Sequence, residues 1–174
     1  MRAWQYFSRS SFSSLKRPAP QLTNRTLNTA PARPSSITTA PAMSDIKKIF
    51  AKDAMPPAGP YSHAVVAGPN IYVSGCIPAD ATGALVTGSI ATQTQACIDN
   101  IKAILAAAGT DITRVVKVNV FLTDMNDFAE MNGVYAEAFA HKPARSCVAV
   151  KQLPKGVPVE IECVAFNGTR GPKL

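Results

Sequence analysis

Between Ser89 and Ala108 the apolar positions recur with the period of an α-helix. Ile90, Thr94, Cys97, Ile98, Ile101, Leu105 and Ala108 fall on one stripe. Gly109 follows, at the point where a helix commonly ends in a left-handed residue. A second stripe, Phe128, Met131, Tyr135 and Phe139, predicts a helix from Asn126 to Ala140. Elsewhere the period drops to two. Val116, Val118, Val120 and Leu122 share one face of a strand predicted from Arg114 to Leu122. In a strand predicted from Val157 to Phe166, Val159, Ile161 and Cys163 point one way, and Glu160, Glu162 and Val164 the other. Shorter strands are expected at Lys47–Lys52, Ser62–Ala67, Asn70–Gly75 and Arg145–Lys151. Gly68-Pro69 turns the second into the third, and Pro78 to Gly83 is a loop.

The order is strands, helix, strand, helix, two strands. It predicts an α+β fold in which two helices cover one face of a mixed sheet. The other face still carries Val, Phe and Ala, with no third helix to cover it. Association with further copies of the chain is the expected remedy.

Charge changes the picture of the first 42 residues. Arg2, Arg9, Lys16, Arg17, Arg25 and Arg33 precede Met43, and no acid does. These six account for most of the net charge of +7; the remaining 12 Lys and Arg face 11 Asp and Glu. Arg2, Arg9 and Lys16 share one face of a helical wheel, with Trp4, Phe7 and Leu15 opposite. A basic, hydroxyl-rich, acid-free amphipathic start has the character of an organelle transit peptide, and a basic tail without an address is the competing reading. Prolines 18, 20, 31, 34 and 41 stop any long helix beyond it. Residues 1–42 are therefore read as a mitochondrial leader and 43–174 as one domain. Initiation at Met43 would give a leaderless cytosolic form. No run reaches the roughly 18 apolar residues of a membrane span, so no membrane partner is expected.

Cys76, Cys97, Cys147 and Cys163 form no C-x-x-C pair, and His63 and His141 each stand alone. Buried thiols are expected, without a metal. Among polar residues, Arg145 enters a strand from a loop, where its planar fork could grip a carboxylate through two hydrogen bonds. A surface Arg paired with Glu is the plainer alternative. Glu160 and Glu162 could orient or deprotonate a water, or simply line a solvated strand face. Tyr61 offers an aromatic wall and a hydroxyl, or a packed core ring.

Several segments together resemble one known family. Ala58-Gly-Pro-Tyr-Ser-His63, Val73-Ser-Gly75, Asp99-Asn-Ile-Lys102, Asn126-Asp-Phe128, Pro143-Ala-Arg-Ser-Cys147, Leu153-Pro-Lys155 and Val159-Glu-Ile-Glu162 are similar, in order, to the reactive-intermediate deaminases (RidA/YjgF). The likeness runs from about Ile46 to Phe166, and the leader makes the chain look most like the fungal-type mitochondrial members. The resemblance implies a chorismate-mutase-like α+β subunit, a homotrimer with clefts between neighbours, and no cofactor. It also implies hydrolysis of 2-iminobutanoate and 2-iminopropanoate to 2-keto acids and ammonia. By the same likeness Arg145 binds the substrate carboxylate and Glu160 stands near the attacking water. Tyr61 lines the pocket, and Ser74, Gly75, Asn132 and Cys147 hold pocket positions. The chain departs from the family in having Cys76 where Gln is usual. The stretch between Tyr135 and Pro143 is also about a residue short, which bears on the loop carrying Arg145. Two other functions compete: a non-enzymatic trimeric small-ligand sensor or chaperone-like module, and RNA binding. The near-neutral domain argues against nucleic acid, whose phosphates call for clustered Lys and Arg.

Overall fold

Eight regular elements follow the predicted order in a computed structural model that describes residues 46–168. They are β1 (Ile46–Ile49), β2 (Ala64–Ala67), β3 (Asn70–Cys76), α1 (Ile90–Ala107), β4 (Val115–Leu122), α2 (Phe128–Ala138), β5 (Ala144–Ala149) and β6 (Val159–Phe166). The leader and the start at Met43 lie outside the described residues.

Local chemistry sets the helix ends. The Ser89 side chain accepts the Thr92 N–H (3.2 Å), one of the donors a first helical turn leaves free. At the other end Gly109 takes a φ of 84°, and Thr110 N–H returns to the Leu105 carbonyl (3.0 Å). The second helix begins at Phe128, the first residue of its apolar stripe, and not at Asn126 as predicted. Met125–Asp127 forms a 3₁₀ turn first, because the Asp124 side chain accepts the Asn126 N–H (2.8 Å).

The strands form one sheet in the order β1-β2-β3-β6-β4-β5. Every pair is antiparallel except β4 and β5, which are parallel and joined through α2. Both helices lie on one face, packed on each other, with α1 seated on β3 and β6. Ile98, Ile101, Leu105, Val118, Val120, Leu122, Met131, Phe139 and Ile161 are fully buried between them. The predicted stripe of β4 needs one correction. Val116 is 49% exposed, whereas Val115 is buried. Val115 pairs with Ala165 and Lys117 with Val164, so Val116 is the extra residue of a β-bulge that reverses the alternation at its position.

The opposite face carries no helix among the described residues. At one end it is capped by Met55, Ile77, Ala79, Leu153 and Val157, with Phe121 and Val150 against them. Tyr72 and Val148 remain about half exposed on the uncapped part. No helix among the described residues is long and apolar enough to cross a membrane.

Candidate functional site

The expected site residues fall into two groups, and strand register decides which residue joins which. Residues directly paired across strands project to the same side of a sheet. Val118 pairs with Arg145 and Val120 with Cys147, so these two β5 residues lie on the helix face. Phe121 pairs with Glu160 and Asn119 with Glu162, on the helix-free face.

Glu160 looks into a cavity of about 330 Å³. Tyr61, Ser74, Gly75 and Glu160 line it together with the apolar side chains of Met55, Ala58, Ile77 and Pro154. Gly75 leaves the room in which the Glu160 carboxylate stands. A Cβ at this position would overlap Oε1 of Glu160 and stand 2.8 Å from its Cδ. Ser74 donates its hydroxyl to the Ser62 carbonyl (2.8 Å), and Tyr61 is held over the turn by accepting the Ala58 N–H at its hydroxyl (3.0 Å). Tyr61 is therefore a cavity-wall residue, 38% exposed, not a core tyrosine. Burial, and secondly the neighbouring Glu162 charge, push the Glu160 carboxyl above the usual glutamate range. Asn119 Nδ2–H donates to Glu162 (2.8 Å), whereas no donor reaches Glu160 among the described residues.

Two buried polar residues outside the expected set hold this cavity in shape. His63 Nδ1 accepts the Ala51 N–H (2.8 Å) and its Nε2–H donates to the Met55 carbonyl (2.7 Å). Asn100 on α1 accepts the Met55 N–H (2.7 Å) and donates to the carbonyls of Ala79 (2.7 Å) and Ala96 (3.0 Å). Asn100 sits on the buried side of α1, and a polar residue in that phase is the one sequence signal that could have flagged it.

Arg145 lies against α2. Its guanidinium carbon is 4.7 Å from the ring centroid of Tyr135 and 5.5 Å from that of Phe128, and an N–H donates to Oδ1 of Asn132. Positions 128, 132 and 135 share one helix face, so α2 supplies a cradle of two rings and an amide. No Asp or Glu lies within ion-pair distance of Arg145 among the described residues. The ordinary Arg–Glu surface pair is not what this residue makes. The short loop leading to it is tied down. Lys142 N–H returns to the Phe139 carbonyl (2.8 Å), and His141 Nε2–H donates to that of Val115 (2.9 Å).

Cys147, two residues along the same face, is half-buried. Burial raises its thiol pKa, and the Arg145 charge opposes that rise. Cys76 does not line the main cavity. It is buried on the helix face, its thiol pushed up by burial, and it borders a gap of about 10 Å³ together with Met55, Ser74 and Gly75. Cys97 and Cys163 are buried free thiols as well. No group of three His, Cys, Asp or Glu stands close enough to hold a metal ion among the described residues.

Comparisons with known proteins agree on one family. The family model described as endoribonuclease L-PSP matches residues 51–167. A RutC family protein of Pyrococcus horikoshii is 52% identical over 121 residues, which span 68% of this chain and 96% of the relative. The mitochondrial protein MMF1 of Saccharomyces cerevisiae is 45% identical over 147 residues, spanning 84% and 97%. Among solved structures, E. coli TdcF with bound serine is 37% identical with a TM-score of 0.67, covering 70% of this chain and 99% of that one. With two-thirds of its length matched by the family model and half of the aligned residues identical in an archaeal relative, the chain belongs to the endoribonuclease L-PSP (RutC/YjgF) family.

Proposed function

We propose that this protein hydrolyses 2-imino acids to 2-keto acids and ammonia, with 2-iminobutanoate and 2-iminopropanoate as substrates. The observation that carries the reading is Arg145: a guanidinium held by the rings of Tyr135 and Phe128 and the amide of Asn132, with no carboxylate of its own among the described residues. Such a fork is prepared for a carboxylate supplied from outside. The serine bound to TdcF is a small molecule with a carboxylate beside a nitrogen-bearing carbon, the same features as a 2-imino acid.

A protonated imine is already electrophilic, so fixing its carboxylate and aligning one water suffices for chemistry. Glu160 takes a proton as water adds to C2, giving a carbinolamine. The proton passes to the amine; as the C–N bond breaks, Glu160 takes the hydroxyl proton, the C–O bond becomes the ketone, and ammonia leaves, carrying that proton away as ammonium. A carboxyl raised above its usual range suits this relay, since its basicity lies nearer the working pH. No cofactor enters the scheme.

Arg145 and Glu160 occupy opposite faces of one sheet, so a single chain does not present both to one small molecule. We place the site between copies, with the Arg145 cradle of one facing the Glu160 cavity of the next, in a homotrimer. The half-exposed Tyr72 and Val148 on the uncapped face favour such an assembly. The acid-free leader, and the mitochondrial name carried by MMF1, favour the mitochondrial matrix as its place of work. A small-ligand sensor using Arg145 alone is the second reading, favoured by the same separation. The family's endoribonuclease label finds little support in the charge, since residues 46–168 carry ten Lys and Arg against ten Asp and Glu.

The test uses the full chain with threonine dehydratase and threonine, trapping leftover imine with semicarbazide. Faster loss of imine, abolished in Arg145→Ala, is expected. No acceleration by folded protein would leave the sensor reading in its place.

A further inference from the structure

Resting on the deaminase reading, we infer that Asn132 is a positioning residue that keeps the carboxylate site open, because it orients Arg145 through an oxygen that carries no charge. Arginine has only donors to offer, so the atom of residue 132 that meets it must be an acceptor. The amide oxygen of Asn132 fills that place and accepts an N–H of Arg145. A carboxylate there would have almost the same shape and would also accept, but it would neutralise the guanidinium and occupy its fork. Both residues are half-buried, so water and salt would weaken such a pair less than one at the surface. An incoming carboxylate would then have to displace it.

Every group that α2 lends to Arg145 follows the same rule. The rings of Phe128 and Tyr135, with centroids 5.5 Å and 4.7 Å from the guanidinium carbon, attract the cation without cancelling its charge. The helix is not short of acids. Glu130 and Glu137 lie on it, yet neither stands within ion-pair distance of Arg145. Glu130 instead accepts the Ala91 N–H (3.2 Å). Position 132 alone bonds the guanidinium among the described residues, so the choice between amide and acid falls on it. The remaining N–H groups of the fork, and its whole charge, are left for a carboxylate that the substrate brings.

The experiment compares full-length wild type, Asn132→Asp and Asn132→Ala, each checked for folding by thermal melting. Two quantities are read: kcat/KM for the imine that threonine dehydratase releases from threonine, and affinity for 2-ketobutanoate by calorimetry, which needs no turnover. Shape and charge predict opposite orders. If position 132 only fills space, the isosteric Asn132→Asp is the milder change. If the acceptor must be uncharged, Asn132→Asp is the worse one, although it melts no lower than wild type. Its kcat/KM should then fall about tenfold to a hundredfold, the range a charge-assisted hydrogen bond spans, and 2-ketobutanoate binding should weaken in parallel. Asn132→Ala loses the orientation but leaves the charge open, and should fall by less. Should Asn132→Asp not fold, Asn132→Glu brings a carboxylate to the same fork on a longer stem. A folded carboxylate variant no worse than Asn132→Ala in both readings would overturn the role of Asn132 and leave the deaminase standing. Wild-type protein that neither consumes imine nor binds 2-ketobutanoate would overturn the deaminase reading, and this inference with it.

Discussion

Arg145 and Glu160 stand on opposite faces of the same sheet, two strands apart, with β4 between them. The register is explicit: β4 offers Val118 to Arg145 on the helix side and Phe121 to Glu160 on the other. Each is supported by its own surroundings, Arg145 by a face of α2 and Glu160 by a cavity whose lining loop is bonded to α1. A site that needs both is completed only by a second copy. The predictions below test each half and then their union.

Tyr135 separates ring from hydroxyl. Its ring lies under Arg145, while its buried hydroxyl has no hydrogen-bond partner. Tyr135→Phe keeps the stacking and removes an unsatisfied group, so KM should hold and the melting temperature should hold or rise. Tyr135→Leu loses the cation–π contact, and KM for the imine should rise by a factor corresponding to about 0.5–2 kcal/mol. Steady-state kinetics and melting curves on the two variants check this, and an equal rise in KM for both would contradict it.

Glu160 links activity and stability to pH with opposite signs. Its carboxyl is raised chiefly by burial and further by Glu162, so the carboxylate, and with it kcat/KM, should be lost in acid above the usual glutamate range. Glu162→Gln removes the like charge and should move that acid limb to lower pH. For stability, a raised carboxyl pKa means the folded state binds the proton more tightly than the unfolded chain. The resulting cost is absent below the unfolded pKa of about 4.3 and develops as pH rises through the folded value. Glu160→Gln should therefore melt higher than wild type at neutral pH, and the gain should vanish in acid.

Gly75 should matter to the reaction more than to the fold. An added Cβ meets the flexible end of Glu160, which can swing away, and no positive φ forbids alanine there. Gly75→Ala should melt within about 1 kcal/mol of wild type, because only one side chain must move. Its kcat should fall sharply, since the Glu160 carboxylate no longer stands where Gly75 left room. Kinetics and calorimetry on the same sample separate the two effects.

Much of this was legible in the sequence. The stripes of α1 and α2 are long enough for their period to be unambiguous, and the alternation in β6 correctly divides Val159, Ile161 and Cys163 from Glu160 and Glu162. Val116 was not legible, because a bulge adds one residue without any mark in a valine-rich run. Nor was the separation of Arg145 from Glu160. It depends on which residues of β4 each faces, a register that β4 shares with two partners and that no local pattern encodes. His63 and Asn100 look like isolated polar residues until the loop from Ala51 to Met55 is folded over them. Their partners are backbone groups, which leave no trace in side-chain spacing.

The most direct measurement mixes two inactive proteins. Arg145→Ala and Glu160→Gln chains are unfolded together, refolded in equal amounts, and assayed for imine consumption beside each variant alone. If each site takes Arg145 from one copy and Glu160 from the next, random mixing restores one junction in four, so roughly a quarter of wild-type activity should return. Mixed oligomers that form but stay as inactive as either parent would contradict a site shared between copies.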